Sequence, residues 1–396
     1  MQHIRFIHCA DLHLDSRMES HLSQVQAQTR RKELLQTFLR LADYAVSNQV
    51  CAILISGDLF DTDHVAPSTV SAFRNCIQEH PQVDFLYLPG NHDSQIQNIF
   101  HLEETWPKNF WIFQDLQDTD SRSGSSLQVC TAKEYGPVTI TTVTEDLSSL
   151  SALSPSRINF VMLHGQIDSY RASLSDNQEQ CFHYSLTDLC GKNIDYIAAG
   201  HIHQYRLDAI DMRGQYCYSG CLEGRGFDEC GDKGFVLLDI IIDDDAMASP
   251  DPDHIHDMFQ VTPQFIPFAS RKLYDLSFDL TNHTDYHDLD QQISQLFAEI
   301  DTPHMVRLKL TGSIPPEYIV PTDWLLQKYA DYFFLLRIED CTRSALSYED
   351  YRYDISLKGE FIRLVLSDPN LNDSEKEQII MEGLHALAGE EILINP

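Results

Sequence analysis

Residues 4–16 read IRFIHCADLHLDS, and this stretch decides the fold. A short apolar run, too brief for a helix, ends directly before Asp11 and His13. The same order recurs at residues 52–61, AILISGDLFD, and at residues 85–94, FLYLPGNHDS. Buried strands followed by polar side chains are typical of open α/β sheets, which place their functional groups at the carboxyl ends of the strands. The pattern predicts an α/β fold with a candidate site along one edge of the sheet.

Short apolar runs and helical patterns alternate over the first two thirds of the chain, as they do in α/β folds. A helix is predicted from Gln24 to Val46, where apolar residues recur at i, i+3 and i+4. Strand-like pieces between Gln128 and Val143 favour mixed strand directions or two facing sheets over one parallel sheet. The predicted strands are Ile4–Cys9, Ala52–Ser56, Phe85–Leu88, Asn159–Leu163, Tyr196–Ala199, Tyr216–Tyr218 and Phe235–Ile242.

The composition and pattern divide the chain into four predicted segments. Residues 1–242 form the large domain, and the acidic, proline-containing residues 243–257 form a linker. Residues 258–345 are predicted to fold as a small β-α-β-α-β domain, and residues 346–396 as a helical tail. The elements predicted in these last two segments are Leu273–Phe278, Tyr286–Ile300, Met305–Leu310, Trp324–Tyr329, Phe333–Ile338, Glu360–Leu366 and Glu375–Leu387.

The overall composition predicts a globular, strongly acidic protein. Hydrophobic residues make up 43% of the 396 residues, and the formal net charge is -32. No apolar run approaches the roughly 20 residues of a membrane span, and the first residues lack a signal-peptide layout, so we expect a cytoplasmic protein. Ten cysteines without a CxxC pair indicate reduced thiols rather than a zinc ribbon. The charge disfavours unaided binding of nucleic acid, and the one dense basic cluster is Arg30-Arg31-Lys32.

Five short motifs carry the candidate chemistry, and each follows a predicted strand. They are Asp11-Leu12-His13, Gly57-Asp58-Leu59-Phe60-Asp61, Gly90-Asn91-His92-Asp93, His164-Gly165 and Gly200-His201-Ile202-His203. The candidate ligands in them are Asp11, His13, Asp58, Asn91, His164, His201 and His203. A set of carboxylate, amide and imidazole groups without sulfur suits manganese, iron or zinc and disfavours a thiolate site. Two cations about 3.5–4 Å apart need one ligand that holds both, and Asp58, central in the motif order, is the natural bridge.

Any one of these residues alone is weak evidence. An Asp at a strand end is usually a turn or cap residue. We interpret His8 and Asp15 in this ordinary structural sense. For the ordered set of five motifs the same explanation requires five coincidences, so a pair of divalent metal ions is the stronger interpretation.

The five motifs resemble those of the calcineurin-like metallophosphoesterase superfamily, D-x-H, G-D-x-x-D, G-N-H-D/E, H and G-H-x-H. The longer stretches are closer still to the SbcD-type DNA repair exonucleases and their YhaO-like branch. A further resembling segment runs from Tyr218-Ser219-Gly220 through Gly224-Arg225-Gly226 to Lys233-Gly234-Phe235. The resemblance covers roughly residues 4 to 242. It implies a four-layer αββα sandwich as the catalytic domain, followed by a small C-terminal α/β capping domain.

The resemblance also implies a ligand set and partners. One metal ion would be held by Asp11, His13, Asp58 and His203, and the other by Asp58, Asn91, His164 and His201. Manganese is the usual metal of the nuclease branch. SbcD-type nucleases form homodimers, act on DNA and work with a Rad50/SbcC-type coiled-coil ATPase, on which their C-terminal helices dock.

The hypothesis for the reaction is direct hydrolysis of a phosphodiester bond with two metal ions, in which His92 protonates the leaving oxygen. Asp93 or Asp61 could orient His92, and Asp61 could instead support a metal-bound histidine. Arg225 could bind a substrate phosphate or equally form an ion pair.

Two other functions stay open at this point. A phosphodiesterase or phosphatase for small molecules uses the same metal site, and the acidic charge favours it. A non-catalytic adaptor that keeps the fold would typically lose metal ligands, whereas this chain carries every residue of the motifs.

Overall fold

The computed structural model describes most of the chain. It covers residues 2–18, 22–61, 65–93, 105–113, 128–143, 153–167, 182–243, 258–281, 285–314, 318–344 and 353–388, with single residues at 100, 150 and 351. The predicted linker, residues 243–257, lies outside the described residues except for its first position.

Seven strands form the first sheet, in the order β15-β14-β1-β2-β3-β4-β5. They are β1 (Gln2–Cys9), β2 (Ala52–Ser56), β3 (Asp84–Leu88), β4 (Phe110–Phe113), β5 (Gln128–Cys130), β14 (Gly234–Ile242) and β15 (Phe259–Pro267). Strands β1 to β5 pair in parallel, whereas β14 pairs antiparallel with both β1 and β15. Every residue of β2 is buried, as expected for a central parallel strand that is covered on both faces.

Six strands form the second sheet, in the order β12-β13-β11-β8-β7-β6. They are β6 (Ala132–Tyr135), β7 (Val138–Thr142), β8 (Ile158–His164), β11 (Tyr196–Gly200), β12 (Arg206–Ala209) and β13 (Gln215–Tyr218). The four central strands are parallel, and the edge strands β6 and β12 are antiparallel. Two short strands, β9 (Gln166–Ile167) and β10 (His183–Tyr184), pair with each other. Both predicted alternatives to one parallel sheet are present, since there are two large sheets and each has mixed strand directions.

Three apolar cores separate the layers. Phe6 of β1 lies in the core between the two sheets, while the next residue, Ile7, lies in the core beneath helices α1 (Gln24–Ser47) and α2 (Pro67–Glu79). Successive side chains of a strand point to opposite faces, so one strand serves both cores. The third core covers the outer face of the second sheet with helix α3 (Leu186–Leu189). The predicted four-layer αββα sandwich is confirmed.

Helix α1 begins where its sequence indicates. Ser23 is the N-cap, and its hydroxyl accepts a hydrogen bond from the backbone N–H of Gln26, whose side chain accepts one from the Ser23 N–H. Leu34 and Phe38 are buried on the face toward the first sheet. Arg30 precedes them by one helical turn on the same face, and it is fully buried as well.

The chain forms two compact units, residues 1–275 with 301–307 and 329–336, and residues 276–300, 308–328 and 337–396. The elements from residue 273 onward are β16 (Leu273–Asp279), α4 (Tyr286–Ala298), β17 (Met305–Thr311), β18 (Ser313–Ile314), α5 (Thr322–Tyr329), β19 (Leu335–Asp340), β20 (Arg343–Ser344), α6 (Leu357–Ser367) and α7 (Asp373–Ala388). Strands β16, β17 and β19 form one sheet. The predicted order of strands and helices is present, and the domain boundaries stay a prediction. Among the described residues, no helix is long and apolar enough to cross a membrane.

Candidate metal centre

The loops that follow β1 and β2 run side by side and carry the first candidate ligands. The backbone N–H of Asp11 donates to the carbonyl of Gly57 over 3.1 Å, and that of His13 donates to the carbonyl of Asp58 over 3.0 Å. Because β1 and β2 are adjacent parallel strands, their carboxyl ends meet at the same edge. The first two motifs therefore share one backbone framework.

Four of the seven candidate ligands have a left-handed backbone. The φ angles are 52° at Asp11, 43° at His13, 50° at Asp58 and 97° at His201. Such a conformation is uncommon for residues other than glycine and costs on the order of 1–3 kcal/mol at each position, so it persists only where the surroundings enforce it. Strain of this kind concentrates at functional sites. Its recurrence at these ligands supports a functional role for the loops.

Two glycines allow the strand ends to approach closely. A Cβ atom on Gly57, whose φ is 89°, would lie 1.9 Å from Nδ1 of His164. A Cβ atom on Gly200 would lie 1.8 Å from the carbonyl oxygen of Ser56. Since real Cβ atoms do not approach other atoms so closely, these positions require glycine. The glycines thus bring β2 of the first sheet and β8 and β11 of the second against one another at the candidate site.

His164 anchors one half of the candidate centre, together with Asp11 and Asp58. Its Nδ1 lies 2.9 Å from the carbonyl oxygen of Ser56, which can only accept, so Nδ1 carries the proton. Its Nε2 then lies 2.9 Å from Oδ1 of Asn91 and 3.4 Å from Oδ2 of Asp58. An imidazole nitrogen among carboxylate and amide oxygens matches the donor set of a divalent cation, which would take the place of a proton on Nε2.

His13 and His203 form the other half, again with Asp11. The Nε2 atoms of the two rings face each other across 3.2 Å. The Nδ1 of His13 lies 3.0 Å from Asp61, and the Nδ1 of His203 lies 2.7 Å from Glu229. A carboxylate beside Nδ1 holds the proton there and directs the Nε2 lone pair inward, the usual arrangement of metal-binding histidines. The residues present in both halves therefore fit a pair of divalent cations.

Asp58, Asp11 and His201 connect the two halves. Oδ2 of Asp58 lies 3.8 Å from Nε2 of His13 and 3.4 Å from Nε2 of His164. Both carboxylate oxygens of Asp11 accept a hydrogen bond from the backbone N–H of His201, at 3.0 and 3.1 Å. The ring of His201 packs edge-on against that of His164, with centroids 5.5 Å apart. The structure thus brings all seven predicted ligands together, and their role as ligands stays a prediction.

Burial and charge set the protonation of His164 and His201. Burial lowers the pKa of His201 to about 4, and the neighbouring His164 acts in the same direction. Burial also opposes protonation of His164, but the charge and hydrogen bond of Asp58 outweigh it and raise the pKa of His164 to about 9. His201 is held as the neutral imidazole that binds metals, while the oxygens around His164 favour a positive charge at that point.

Asp93 and His92 were predicted to act together. The side chain of His92 lies outside the described residues, so its role as the acid stays a prediction. The buried carboxylate of Asp93 accepts hydrogen bonds from the backbone N–H of Gly90 at 2.9 Å and of Leu59 at 3.2 Å. Burial and the nearby charge of Asp58 raise the pKa of Asp93 to about 6. Asp93 thereby joins the loop after β2 to the short 3-10 helix Asn91–Asp93.

Asp61 and Arg225, the remaining predicted site residues, contact each other. Nη1 of Arg225 donates to Oδ1 of Asp61 over 2.8 Å, and the same oxygen lies 3.0 Å from Nδ1 of His13. Burial alone would raise the pKa of Asp61, but the hydrogen bond and charge of His13 and the charge of Arg225 lower it to about 2. Of the alternatives weighed for these residues, the structure places Asp61 beside a candidate histidine ligand and Arg225 in an ion pair.

Glu229 is a site residue that sequence reasoning missed. It lies 26 positions after His203, whose Nδ1 it contacts, and it also accepts from Nη2 of Arg225 over 2.9 Å. Burial opposes its ionisation, but the hydrogen bond from His203 and the charge of Arg225 lower the pKa of Glu229 well below its usual range. The one available signal was its position four residues after Arg225, within the further resembling segment from Tyr218 to Phe235.

The residues interpreted as structural have structural contacts. His8 is fully buried in β1, and its Nδ1 lies 2.9 Å from the hydroxyl of Tyr196. Asp15 accepts a hydrogen bond over 2.7 Å from the backbone N–H of Ala66, directly before helix α2. Neither side chain belongs to the two clusters of candidate ligands.

Arg30, part of the one dense basic cluster, does not contribute to the surface. Its guanidinium is buried and donates to Glu33 over 2.6 Å and to Glu223 over 3.1 Å. Two acidic partners neutralise it inside the fold. The surface charge available for nucleic acid is therefore less basic than the sequence cluster indicates.

A pocket of about 500 Å³ lies away from the candidate ligands. It is lined in part by Arg74, Asp84, Trp106 and Asn109, near the amino ends of β3 and β4. The candidate ligands follow the carboxyl ends of the parallel strands, at the opposite edge of the sheet. We therefore assign this pocket no part in the chemistry of the candidate metal centre.

Comparison with known proteins finds a matching family model and several relatives. A family model described as calcineurin-like phosphoesterase matches residues 4–205. A Bacillus subtilis protein described as uncharacterized metallophosphoesterase YhaO is 23% identical over 337 residues, 82% of this chain and 74% of that protein. Two proteins described as DNA double-strand break repair protein Mre11 match over a smaller share of this chain. The one from Sulfolobus acidocaldarius is 26% identical over 52% of this chain and 52% of its own length, and the one from Saccharolobus solfataricus is 28% identical over 60% of each.

Proposed function

The chain belongs to the calcineurin-like phosphoesterase family, and on that premise we propose that it is a metal-dependent nuclease that hydrolyses phosphodiester bonds in DNA. Family membership implies a hydrolase of phosphoester bonds that uses two divalent metal ions. The observation that carries the proposal is the double cluster of Asp11 with His13 and His203, and of Asp11 with Asp58 and His164. Two adjoining cation sites suit hydrolysis of a phosphodiester, because two cations can stabilise both the attacking and the leaving oxygen.

We propose the two ligand sets that the family resemblance implies. Asp11, His13, Asp58 and His203 would hold one ion, and Asp58, Asn91, His164 and His201 would hold the other. Oxygen and imidazole donors without sulfur suit manganese, which we propose as the working metal, with iron and zinc as the alternatives. When bound, the two cations would acidify the attacking water and neutralise charge on the phosphoryl oxygens.

The chain's own residues would supply orientation and proton transfer. We assign proton donation to the leaving oxygen to His92, which follows the candidate ligand Asn91 directly in the 3-10 helix. Asp93 fixes that helix through the backbone N–H of Gly90 and Leu59. The backbone that carries His92 is thereby tied to the loop that carries Asp58.

Two features bear on DNA as the substrate. The Mre11 relatives are described as DNA double-strand break repair proteins, which supports it. The net charge of -32 opposes tight unaided binding of a polyanion. Bound divalent cations reverse the local field at the site, and we propose that a partner supplies further basic surface.

We propose a coiled-coil ATPase as that partner and a homodimer as the working assembly. The support within the chain is apolar surface around helix α6. Ile355, Leu357 and Leu364 are 99%, 68% and 65% exposed. Apolar side chains so exposed near one helix are typical of a protein interface. Light scattering of the purified chain tests the dimer, because a monomer at micromolar concentration would contradict it.

The small-molecule phosphodiesterase is the second candidate, because the acidic charge favours it. The deciding experiment is incubation of the purified chain with end-labelled linear DNA and, separately, with bis(p-nitrophenyl) phosphate. Each reaction is run with manganese and with EDTA. Manganese-dependent shortening of DNA that is lost in Asp58→Asn is the expected result. Hydrolysis of the small diester with intact DNA, also after addition of a coiled-coil ATPase from the same source, would contradict the nuclease proposal.

A further inference from the structure

The two halves of the candidate centre orient their histidines in different ways. His164 is held by a backbone carbonyl, that of Ser56, at the end of the fully buried strand β2. His13 and His203 are held by side-chain carboxylates, Asp61 and Glu229. A strand carbonyl has little freedom to move, whereas a carboxylate on a loop has torsions of its own. The second half therefore needs something to hold its carboxylates.

Arg225 lies between these two carboxylates and contacts both. Nη1 donates to Asp61 over 2.8 Å, and Nη2 and Nε donate to Glu229 over 2.9 and 3.3 Å. The backbone N–H of Arg225 donates to the other oxygen of Glu229 over 2.7 Å. A planar guanidinium with five fixed donors can grip two carboxylates at once, which the point charge of a lysine cannot do with the same geometry.

The loop that carries Arg225 is itself anchored in the interior. Glu223, two residues earlier, accepts from the buried guanidinium of Arg30 over 3.1 Å and from the hydroxyl of Thr37 over 2.7 Å. The carbonyl of Gly224 accepts from the same guanidinium over 2.7 Å. Helix α1 thus fixes the start of the loop, and the grip on Asp61 and Glu229 fixes the side chain of Arg225.

We infer that Arg225 is a positioning residue that sets the metal affinity of the half formed by His13 and His203, through Asp61 and Glu229, and leaves the half formed by His164 unaffected. The inference rests on the proposed function, because it requires metal ions at this centre. Carboxylates that orient metal-binding histidines change metal affinity about 10- to 100-fold when they are lost. Arg225 controls two such carboxylates together, and its Nη2 also lies 3.3 Å from Nδ1 of His203, in the same half.

A role in holding substrate phosphate makes a different prediction. Arg225 is only 21% exposed, and its guanidinium already donates to two carboxylates. A residue that contacts the substrate changes KM and leaves the binding of metal to the substrate-free protein unchanged. A positioning residue changes metal binding with no substrate present. Metal affinity without substrate therefore separates the two roles.

The test is calorimetric titration of Mn²⁺ into the metal-stripped full chain, for wild type and for Arg225→Met, Arg225→Lys and Arg213→Met. Arg213 is the matched control, because it grips Asp195 with two bonds of 3.0 Å at the amino ends of the strands, away from the ligands. We expect two equivalents in the wild type. In Arg225→Met one equivalent keeps its affinity and the other weakens about 10- to 100-fold. Arg225→Lys should lie between, and Arg213→Met should bind both ions as the wild type does.

Three outcomes overturn the inference. Wild-type binding of both ions in Arg225→Met removes it and leaves the proposed function intact. An equal loss in Arg213→Met assigns the effect to general destabilisation. A wild-type chain that binds no manganese, and no iron or zinc in the same titration, removes both the inference and the proposed function. If Arg225→Met does not fold in EDTA, as judged by thermal melting, Glu229→Gln replaces it. We then expect a weaker selective loss at the same half, and unchanged affinity in that variant would count against the inference.

Discussion

The two ends of the parallel strands use similar polar side chains for opposite purposes. At the amino ends, the amide of Asn109 donates to the carbonyls of Ile77, His80 and Val83 at 2.8–3.0 Å. Asp195 accepts from Arg213 and from a backbone N–H. At the carboxyl ends, by contrast, imidazole nitrogens face one another or face carboxylate oxygens, and the backbone is strained.

This difference separates groups that hold the fold from groups that serve chemistry. Donors matched to acceptors stabilise a structure, whereas a buried cluster of imidazole nitrogens and carboxylates is stabilised by a bound cation. Strained backbone also clusters at functional sites, where the surrounding structure holds it in place. Variants at each end test this difference. It would be contradicted if a variant at the amino ends lowered activity, or if a variant of a candidate ligand at the carboxyl ends left activity unchanged.

The largest expected effect is at Asp58. Asp58→Asn removes the charge that lies between the two halves, while asparagine tolerates the left-handed φ of 50°, so the fold is retained. We expect manganese-dependent hydrolysis to fall by at least about 100-fold, the scale for loss of one electrostatic group in an active site. Initial rates with a diester substrate and metal content by mass spectrometry measure this. Retained activity with two bound ions would contradict Asp58 as the bridge.

The next effect is steric and concerns Gly57. Gly57→Ala forces a Cβ toward the ring of His164. Gly231→Ala is the matched control, because Gly231 has the same φ of 89° and a Cβ atom added there would meet no atom within 4 Å outside its chain neighbours. We expect the control to lose about 1–2 kcal/mol from the left-handed conformation alone. Gly57→Ala should lose about 1–3 kcal/mol more from the collision. Urea unfolding in EDTA measures both, and equal losses would show that the close approach does not matter.

At the amino ends of the strands we expect a variant to lower stability without lowering activity. Asp195→Asn leaves the buried end of Arg213 without its charged partner, and we expect a loss of about 3 kcal/mol in the free energy of unfolding. The activity per folded molecule should equal that of the wild type, because Asp195 lies at the edge opposite the ligands. A stable but inactive Asp195→Asn would remove the division between the two ends.

The smallest effect concerns His8, which is buried near the carboxyl end of β1. Burial lowers its pKa from 6.5 to about 3 in the folded protein. Above about pH 6.5 neither the folded nor the unfolded form carries this proton. As the pH falls toward 3, the unfolded chain binds it and the folded chain does not, so stability falls by about 1.4 kcal/mol per pH unit. His8→Gln should flatten the curve of unfolding free energy between pH 6 and 4.5 by that amount, and an unchanged slope would contradict the buried neutral state.

Much of the fold could be predicted because its signals are local. The strand prediction Ala52–Ser56 matches β2, and the helix prediction from Gln24 to Val46 ends one residue short of α1. Apolar periodicity and the cap at Ser23 act over a few residues, so they can be read directly. The family resemblance drawn from five motifs is confirmed by the family match over residues 4–205.

The candidate site was predicted less completely, because part of it depends on distant contacts. The seven candidate ligands could be named since their residue types and their positions after strands indicate metal chemistry. The ion pair of Arg225 with Asp61 joins residues 164 positions apart, and that of Arg30 with Glu223 joins residues 193 positions apart. No local pattern marks such pairs, so Glu229 was missed and Arg30 was counted as surface charge.

The sequence by itself determined which residues can bind metals, the order in which they follow the strands and the family to which the chain belongs. Only the tertiary structure decided how each histidine is oriented. A backbone carbonyl holds His164, and two carboxylates gripped by Arg225 hold His13 and His203. The physical reason is the distance along the chain over which each effect acts. Strand formation depends on neighbouring residues, whereas the proton position on an imidazole depends on whichever acceptor the fold places beside it.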